Sequence, residues 1–140
     1  MRRVLFDSDI LLDVLAQHQP FVVASAQALN SATQEWVEGY VSGHAITNIF
    51  YILRRQIGSD AAKKLLSTLL ERIQVASVTD EVIRSALQSS VKDFEDAVTS
   101  EAALAAGLEI IITRNITDFV ASPVPVMLPE EFLTSLSEST

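Results

Sequence analysis

Three aspartates carry the chemistry this chain can offer. Asp7 follows the short apolar run Val4-Leu5-Phe6. Asp96 stands in Asp93-Phe94-Glu95-Asp96-Ala97-Val98, at the start of a helical pattern. Asp118 closes Thr113-Arg114-Asn115-Ile116-Thr117-Asp118, just beyond the run Ile110-Ile111-Ile112. In an open α/β sheet, ligands bind at the carboxyl ends of the strands. The adjoining ends of two neighbouring parallel strands would bring these acids together. Carboxylates crowded into a partly dry cleft repel one another unless a cation or a proton compensates. With no cysteine in the sequence, thiolate sites are excluded, and an all-oxygen donor set suits Mg²⁺ or Mn²⁺. A cation so held polarises a phosphoryl oxygen and lowers the pKa of water, and a pair of cations clamps the attacking and leaving oxygens. That chemistry is phosphodiester hydrolysis.

Each residue also has a plainer reading. Asp93 and Asp96 suit the positive end of a helix dipole whatever else they do. Asp13 is either solvated or, one turn from Asp9, turned towards the same cleft. Asp7 is harder to explain away, because an acid closing a buried strand is costly. His18 and His44, the sole histidines, have no partner at metal-ligand spacing and are read as ordinary surface or turn residues. The loop Gln17–Pro20 is placed beside the mouth of the cleft. Ser8 lacks the glycine-flanked elbow of a nucleophile and is expected to bond Asp7, a ligand or the helix start. Four glycines, none clustered, give neither a P-loop nor a dinucleotide fingerprint. Arg54, Arg55 and Arg114 are candidate phosphate contacts. Phe50, Tyr51, Phe94, Phe119 and Phe132 are expected to fill core stripes.

The elements that must position these residues alternate short apolar runs with helical patterns, the signature of a mainly parallel sheet. Strands are expected at Arg3–Phe6, Gly39–Ser42, Ile73–Val78, Glu109–Thr113 and Val124–Met127. Helices are expected at Ile10–Leu15, from Pro20 with Val22, Val23, Ala26 and Leu29 on its apolar face, at Ala45–Gln56, from Ser59 or Asp60 to Leu70, from Thr79 to Leu87, at Phe94–Ala106 ending in Gly107, and from Pro129 to Leu136. The unbroken β-branched run at Ile110–Ile112 suits a central strand covered on both faces. The 140 residues fit one domain, residues 1–136, with 137–140 as a frayed polar tail. No apolar run approaches the roughly 20 residues that span a bilayer, so no membrane association is expected. The stretch after Met1-Arg2-Arg3 stops at Asp7, too soon for a secretory signal, and the cytoplasm is the expected location. The formal net charge of −8 gives no global basic footprint for nucleic acid.

Together these segments resemble a known family. Val4-Leu5-Phe6-Asp7-Ser8-Asp9-Ile10-Leu11-Leu12-Asp13-Val14-Leu15 is similar to the opening of PIN domains, a family of PIN-like ribonucleases that includes VapC-type toxins. Ile46-Thr47-Asn48-Ile49-Phe50-Tyr51-Ile52-Leu53-Arg54-Arg55, Asp93-Phe94-Glu95-Asp96-Ala97 and Ile112-Thr113-Arg114-Asn115-Ile116-Thr117-Asp118-Phe119 resemble the motifs that follow, as does the ending Pro129-Glu130-Glu131-Phe132-Leu133. The resemblance implies a three-layer α/β/α sandwich around a mainly parallel five-stranded sheet, and a Mg²⁺- or Mn²⁺-dependent endoribonuclease site acting on RNA. It implies that Asp7, Asp96 and Asp118 bind metal, that Asn115 supports them by hydrogen bonds, and that Ser8 and Asp9 shape the pocket. The family's second acidic position falls on Asn48, which brings a carbonyl oxygen and no charge; Asp93 is the candidate to supply it. The family also implies a homodimer and an antitoxin partner. The alternative is a catalytically weak interaction module of the same fold, acting through a protein partner.

Overall fold

Alternation along the strands decides the layers. In β1 (Arg2–Phe6), Val4 and Phe6 enter one hydrophobic cluster and Leu5 enters the other, all fully buried. This period of two is what a strand covered on both faces requires. In the computed structural model, which describes residues 2–33 and 37–139, the other strands are β2 (Val37–Ser42), β3 (Gln74–Ala76), β4 (Ile110–Ile112) and β5 (Val126–Met127). They form one sheet in the order β3-β2-β1-β4-β5, and every pairing is parallel. β4 repeats the alternation of β1, with Ile110 and Ile112 on one face and Ile111 on the other.

One face is covered by α1 (Ser8–Leu15), α2 (Val22–Asn30), α3 (Gly43–Ile57), α4 (Ser59–Leu69) and α7 (Pro129–Ser139), through Ile10, Leu11, Leu29, Ile49, Leu53, Leu66 and Phe132. The opposite face is covered by α5 (Asp80–Leu87) and α6 (Phe94–Ala105), through Val82, Ala86, Ala97, Val98 and Ala102, with Phe119 beside them. The result is the expected three-layer α/β/α sandwich. Gly39 lets the layers approach: a Cβ there would meet Phe6 Cε2 at 2.8 Å and Ile73 Cγ2 at 2.9 Å.

Two features of this layout matter for the site. β1 has β2 on one side and β4 on the other, so the connections reverse direction between β1 and β4, the place where open sheets bind ligands. The two strands also end together, because Asp7 N–H donates to the Ile112 carbonyl at 2.9 Å. The helix ends are set by local chemistry. Thr79 caps α5 by accepting from Val82 N–H. α6 ends as expected at Gly107, with φ at 71°, Leu108 N–H on the Ala103 carbonyl and Gly107 N–H on the Leu104 carbonyl. α1 ends by the same pattern of bonds, His18 to Asp13 and Gln17 to Val14, but its left-handed residue is Gln17, with φ at 54°, at a cost of about 1 kcal/mol relative to glycine.

Several expectations are corrected. The second helix begins at Val22 rather than Pro20, and its buried residues are Ser25, Ala28 and Leu29, while Val23 is 60% exposed. The third strand is only Gln74–Ala76, an edge strand with Gln74 and Val75 exposed. The fifth is two residues long. Short 3-10 turns occupy Ser31–Thr33 and Ile116–Phe119. Helix α7 continues to Ser139, so Ser137 to Ser139 are helical rather than tail; Met1 and Thr140 lie outside the described residues. Among the aromatics, Phe119 and Phe132 are core residues, whereas Tyr51 and Phe94 are each 47% exposed.

Candidate functional site

Asp7 sits where β1 hands over to α1. Its carboxylate accepts from Ser8 N–H at 2.9 Å and from the Thr113 hydroxyl at 2.9 Å, and the residue is buried. Burial and the charge of Asp9 push its pKa up to about 7, against the pull of those two hydrogen bonds; Asp96 adds to the rise. The group is therefore short of positive charge in a place water scarcely reaches.

Asp9 is held by the segment after β4. Its Oδ2 accepts from Arg114 N–H at 3.0 Å, from the Asn115 amide at 3.2 Å and from the Thr113 hydroxyl at 3.3 Å. Thr113 has one hydroxyl hydrogen to give, and its shorter contact is to Asp7. The other oxygen of Asp9, Oδ1, is buried and has no hydrogen-bond partner. Burial raises the Asp9 pKa as well, opposed by Arg114.

On the facing layer, Asp93 caps α6 by accepting from Asp96 N–H at 3.0 Å, and Asp96 lies in the first turn. Burial pushes the Asp96 pKa up to about 6, helped in turn by the charges of Asp93, Asp118, Glu95 and Asp9. Asp118, exposed in the 3-10 turn after β4, anchors its N–H on the Asn115 carbonyl at 3.0 Å. The acids read from the sequence thus act on one another across the β1–β4 edge. Among the described residues, however, no three acidic or histidine side chains stand close enough to hold a metal ion between them.

The remaining residues separate into those that face the cleft and those that build its walls. The Asn48 amide on α3 donates to Glu95 Oε1 on α6 at 2.7 Å, so Asn48 and Glu95 tie the two layers together at the cleft. Beside them a groove of about 280 Å³ is lined by Ser8, Leu12, Asn48, Tyr51, Arg55 and Glu95, among others. A second groove of about 300 Å³ is lined by Lys92, Asp93, Thr117, Asp118 and Val120, among others. Arg54 lies over the Tyr51 ring, 5.1 Å from its centroid, and Phe50 meets Tyr51 edge-on at 5.2 Å.

Arg114 is a correction. Its guanidinium donates to both oxygens of Asp13, at 2.7 and 3.0 Å, and lies 3.9 Å from the centroid of the Phe21 ring. A guanidinium engaged in this way is a wall element, not a phosphate contact. Asp13 is not solvated: it is fully buried and also accepts from the Ser25 hydroxyl at 2.9 Å, with His18 Nδ1 at 3.6 Å. The Asn115 side chain supports Asp9, and of the three predicted ligands only Asp118 is hydrogen-bonded to Asn115, through the backbone. His44 is more than a turn residue. Its Nδ1 lies 2.6 Å from the Ser42 hydroxyl and its Nε2 3.2 Å from the Glu95 carbonyl, and burial lowers its pKa.

The sequence reading missed Thr113, Glu95 and the Asp13–Arg114–Ser25 cluster. Thr113 had a usable signal, a hydroxyl residue directly after a buried strand. Glu95 had none that set it apart from Asp93.

The donor set fits a hard divalent cation in kind: oxygen atoms only, three carboxyl groups with raised pKa values, and one buried carboxylate oxygen without a partner.

Comparison with known proteins gives a consistent result. The PIN domain family matches residues 3–117, ending one residue short of Asp118. No curated protein matches the chain. Among solved structures, the fold is similar to VapBC2 from Rickettsia felis bound to a DNA fragment from its promoter, at 12% identity and a TM-score of 0.69 over 90% of this chain and 98% of that one. A toxin–antitoxin complex from Klebsiella pneumoniae is similar at 23% identity and a TM-score of 0.69, over 90% and 97%. VapC20 from Mycobacterium tuberculosis, described as a Sarcin-Ricin loop cleaving toxin, is similar at 16% identity and a TM-score of 0.62, over 77% and 86%.

Proposed function

This chain belongs to the PIN-domain family, and from that premise we propose that it is a Mg²⁺- or Mn²⁺-dependent endoribonuclease, the toxin of a toxin–antitoxin pair. The observation that carries the reading is Asp7. A buried carboxylate at the switch point, pushed up to about 7 by burial and a neighbouring acid, is costly without a positive partner.

In this reading Asp7, Asp96 and Asp118 hold the cation, directly or through water. A bound divalent cation supplies charge stabilisation at a phosphoryl oxygen and a water that ionises near neutral pH. The chain's own residues do the rest. Thr113 and Ser8 fix the Asp7 carboxylate with two donated hydrogen bonds. Arg114 N–H and Asn115 turn Asp9 so that its unpartnered Oδ1 is left for other business. Tyr51, Arg54 and Arg55 offer a ring and two cations beside one groove, suited to a base and the phosphates of a single strand. Lys92 offers a cation at the other groove. RNA as the substrate is supported by the similarity to VapC20, and a protein antitoxin by the similarity to toxin–antitoxin complexes. A homodimer and a cytoplasmic location belong to the same proposal. Among the described residues no helix is long and apolar enough to cross a membrane.

The test is cleavage of single-stranded RNA with Mn²⁺, with and without chelator, by the wild type and by Asp7→Asn. Cleavage by the wild type that chelator and D7N both abolish is expected. Equal cleavage by both proteins removes the site from the mechanism.

A second reading, the catalytically weak interaction module, is favoured by two observations: among the described residues no three candidate ligands stand together, and Asn48 spends its amide on Glu95. Calorimetry separates the two. A folded wild type that takes up no Mn²⁺ at millimolar concentration is the module.

A further inference from the structure

We propose that Arg114 is a positioning residue of this site: anchored on Asp13, it fixes the segment Thr113-Arg114-Asn115, and through that segment the carboxylates of Asp7 and Asp9. The inference rests on the nuclease reading above and deepens it, because it gives a role to an arginine that the fold withdraws from the substrate.

Three consecutive residues serve two acids. The Thr113 hydroxyl donates to Asp7 Oδ2 at 2.9 Å, Arg114 N–H donates to Asp9 Oδ2 at 3.0 Å, and the Asn115 amide donates to that same Asp9 oxygen at 3.2 Å. Asn115 N–H in turn donates to Thr113 Oγ1 at 3.0 Å. That bond occupies a lone pair of the hydroxyl and leaves its single hydrogen for Asp7. The donors that reach Asp9 converge on Oδ2, and Oδ1 is left buried without a partner. All of these bonds require one particular course of the chain after Thr113, whose own N–H is still on the Met127 carbonyl of β5 at 3.0 Å.

Strand β4 ends at Ile112, so the sheet ladder does not define this course. The Arg114 side chain does. Its guanidinium donates to both oxygens of Asp13, at 2.7 and 3.0 Å, and lies over the Phe21 ring. A fork-to-fork pair fixes direction as well as distance. Asp13 is fixed too: it is fully buried and accepts from the Ser25 hydroxyl of α2 at 2.9 Å. Asp9 and Asp13 are four residues apart on α1 and share one face on successive turns. Arg114 therefore grips α1 twice, by its N–H on Asp9 and by its guanidinium on Asp13. A slide or a roll of the segment against α1 breaks both grips together. Stability alone is a poor reason for such a corner. Well-packed apolar side chains often serve a fold as well as a buried ion pair does, but they do not set the direction of a donor.

The experiment separates packing from position. Asp13→Leu, Ser25→Ala and Arg114→Met together fill the corner with apolar side chains and leave Asp7, Asp9, Thr113 and Asn115 in place. The triple variant is expected to unfold in urea at or above the wild-type midpoint. In chelator, its backbone N–H at position 114 is expected to exchange with solvent about tenfold faster than in the wild type, read by NMR, because the bond to Asp9 is loosened. With Mn²⁺, its kcat on single-stranded RNA is expected to fall roughly 10–100-fold at unchanged KM. Asp13→Glu is the second variant. It keeps the ion pair and lengthens the anchor by one carbon, so the same amide and the same rate are read with the corner still charged, and a smaller loss of kcat at unchanged KM is expected. Wild-type exchange at position 114 together with wild-type kcat, in the triple variant or, where that does not fold, in D13E, overturns the assignment. A fall in kcat that is matched by a fall in the urea midpoint, with exchange at position 114 unchanged, also overturns it, since the corner is then packing only. A wild type that cleaves no RNA with Mn²⁺ overturns the nuclease reading instead, and the exchange rate alone then decides whether the anchor fixes the segment.

Discussion

Asp7→Asn should make the protein more stable at neutral and alkaline pH, and the size of the effect follows from where Asp7 sits. Burial pushes its folded-state pKa up to about 7, from the ordinary aspartate value of 3.8. A raised carboxylate pKa means that the folded state binds the proton more tightly than the unfolded state. Stability is then lost as pH rises from about 4 to about 7 and is flat above that window. That difference corresponds to about 4 kcal/mol at pH 8. Asparagine is nearly isosteric and carries no charge. Its oxygen still accepts from Ser8 N–H, and the Thr113 hydroxyl, a donor to Asp7, can rotate to accept from the new amide. In chelator, the D7N variant should therefore exceed the wild type by about 2–4 kcal/mol at pH 8 and by much less at pH 4. With a urea slope near 2 kcal/mol/M, this is an increase in midpoint of roughly 1–2 M. Saturating Mn²⁺ should close the gap by stabilising only the wild type, by about 2.7 kcal/mol at a hundredfold excess over Kd. The reasoning is refuted if D7N and the wild type show the same midpoint at pH 8 in chelator, or the same slope of stability against pH between 5 and 8.

Three further outcomes test the walls and the approach to the site. Asp13→Asn should destabilise by about 3 kcal/mol in urea unfolding, because it leaves a guanidinium sandwiched against Phe21 without its carboxylate, and Arg114→Lys should not be tolerated either, since an ammonium cannot make both bonds. Tyr51→Ala should weaken binding of a single-stranded RNA oligonucleotide to the catalytically disabled D7N protein by roughly tenfold, in line with about 1–3 kcal/mol per stacked base; an unchanged affinity in a fluorescence anisotropy titration would remove the groove from the substrate path.

The parts legible in the sequence were those decided by neighbours in the chain. Val4-Leu5-Phe6-Asp7 announces a buried strand with a charged end, and Ile110–Ile112 announces its partner, so the β1–β4 edge could be expected before any coordinate was known. Gly107 and Thr79 likewise mark helix ends by local geometry alone. What stayed hidden was decided across the fold. Asp13 and Arg114 are distant in sequence, and nothing near either one shows that they share two hydrogen bonds. Ser25 is buried on α2 and Val23 exposed, the reverse of their polarity, because the interior of that corner is an aspartate that needs a donor. Glu95 and Asp93 look alike as helix-start acids; only the approach of α3 turns one to the cleft and leaves the other as a cap.

The short outer strands have a consequence for assembly. β3 has three residues and β5 has two, so each rim of the sheet presents almost no unpaired backbone. A second molecule could extend the ladder by only a few rungs, which is too little to nucleate edge-to-edge stacking. Fibril-like growth through the strands is therefore disfavoured by this architecture.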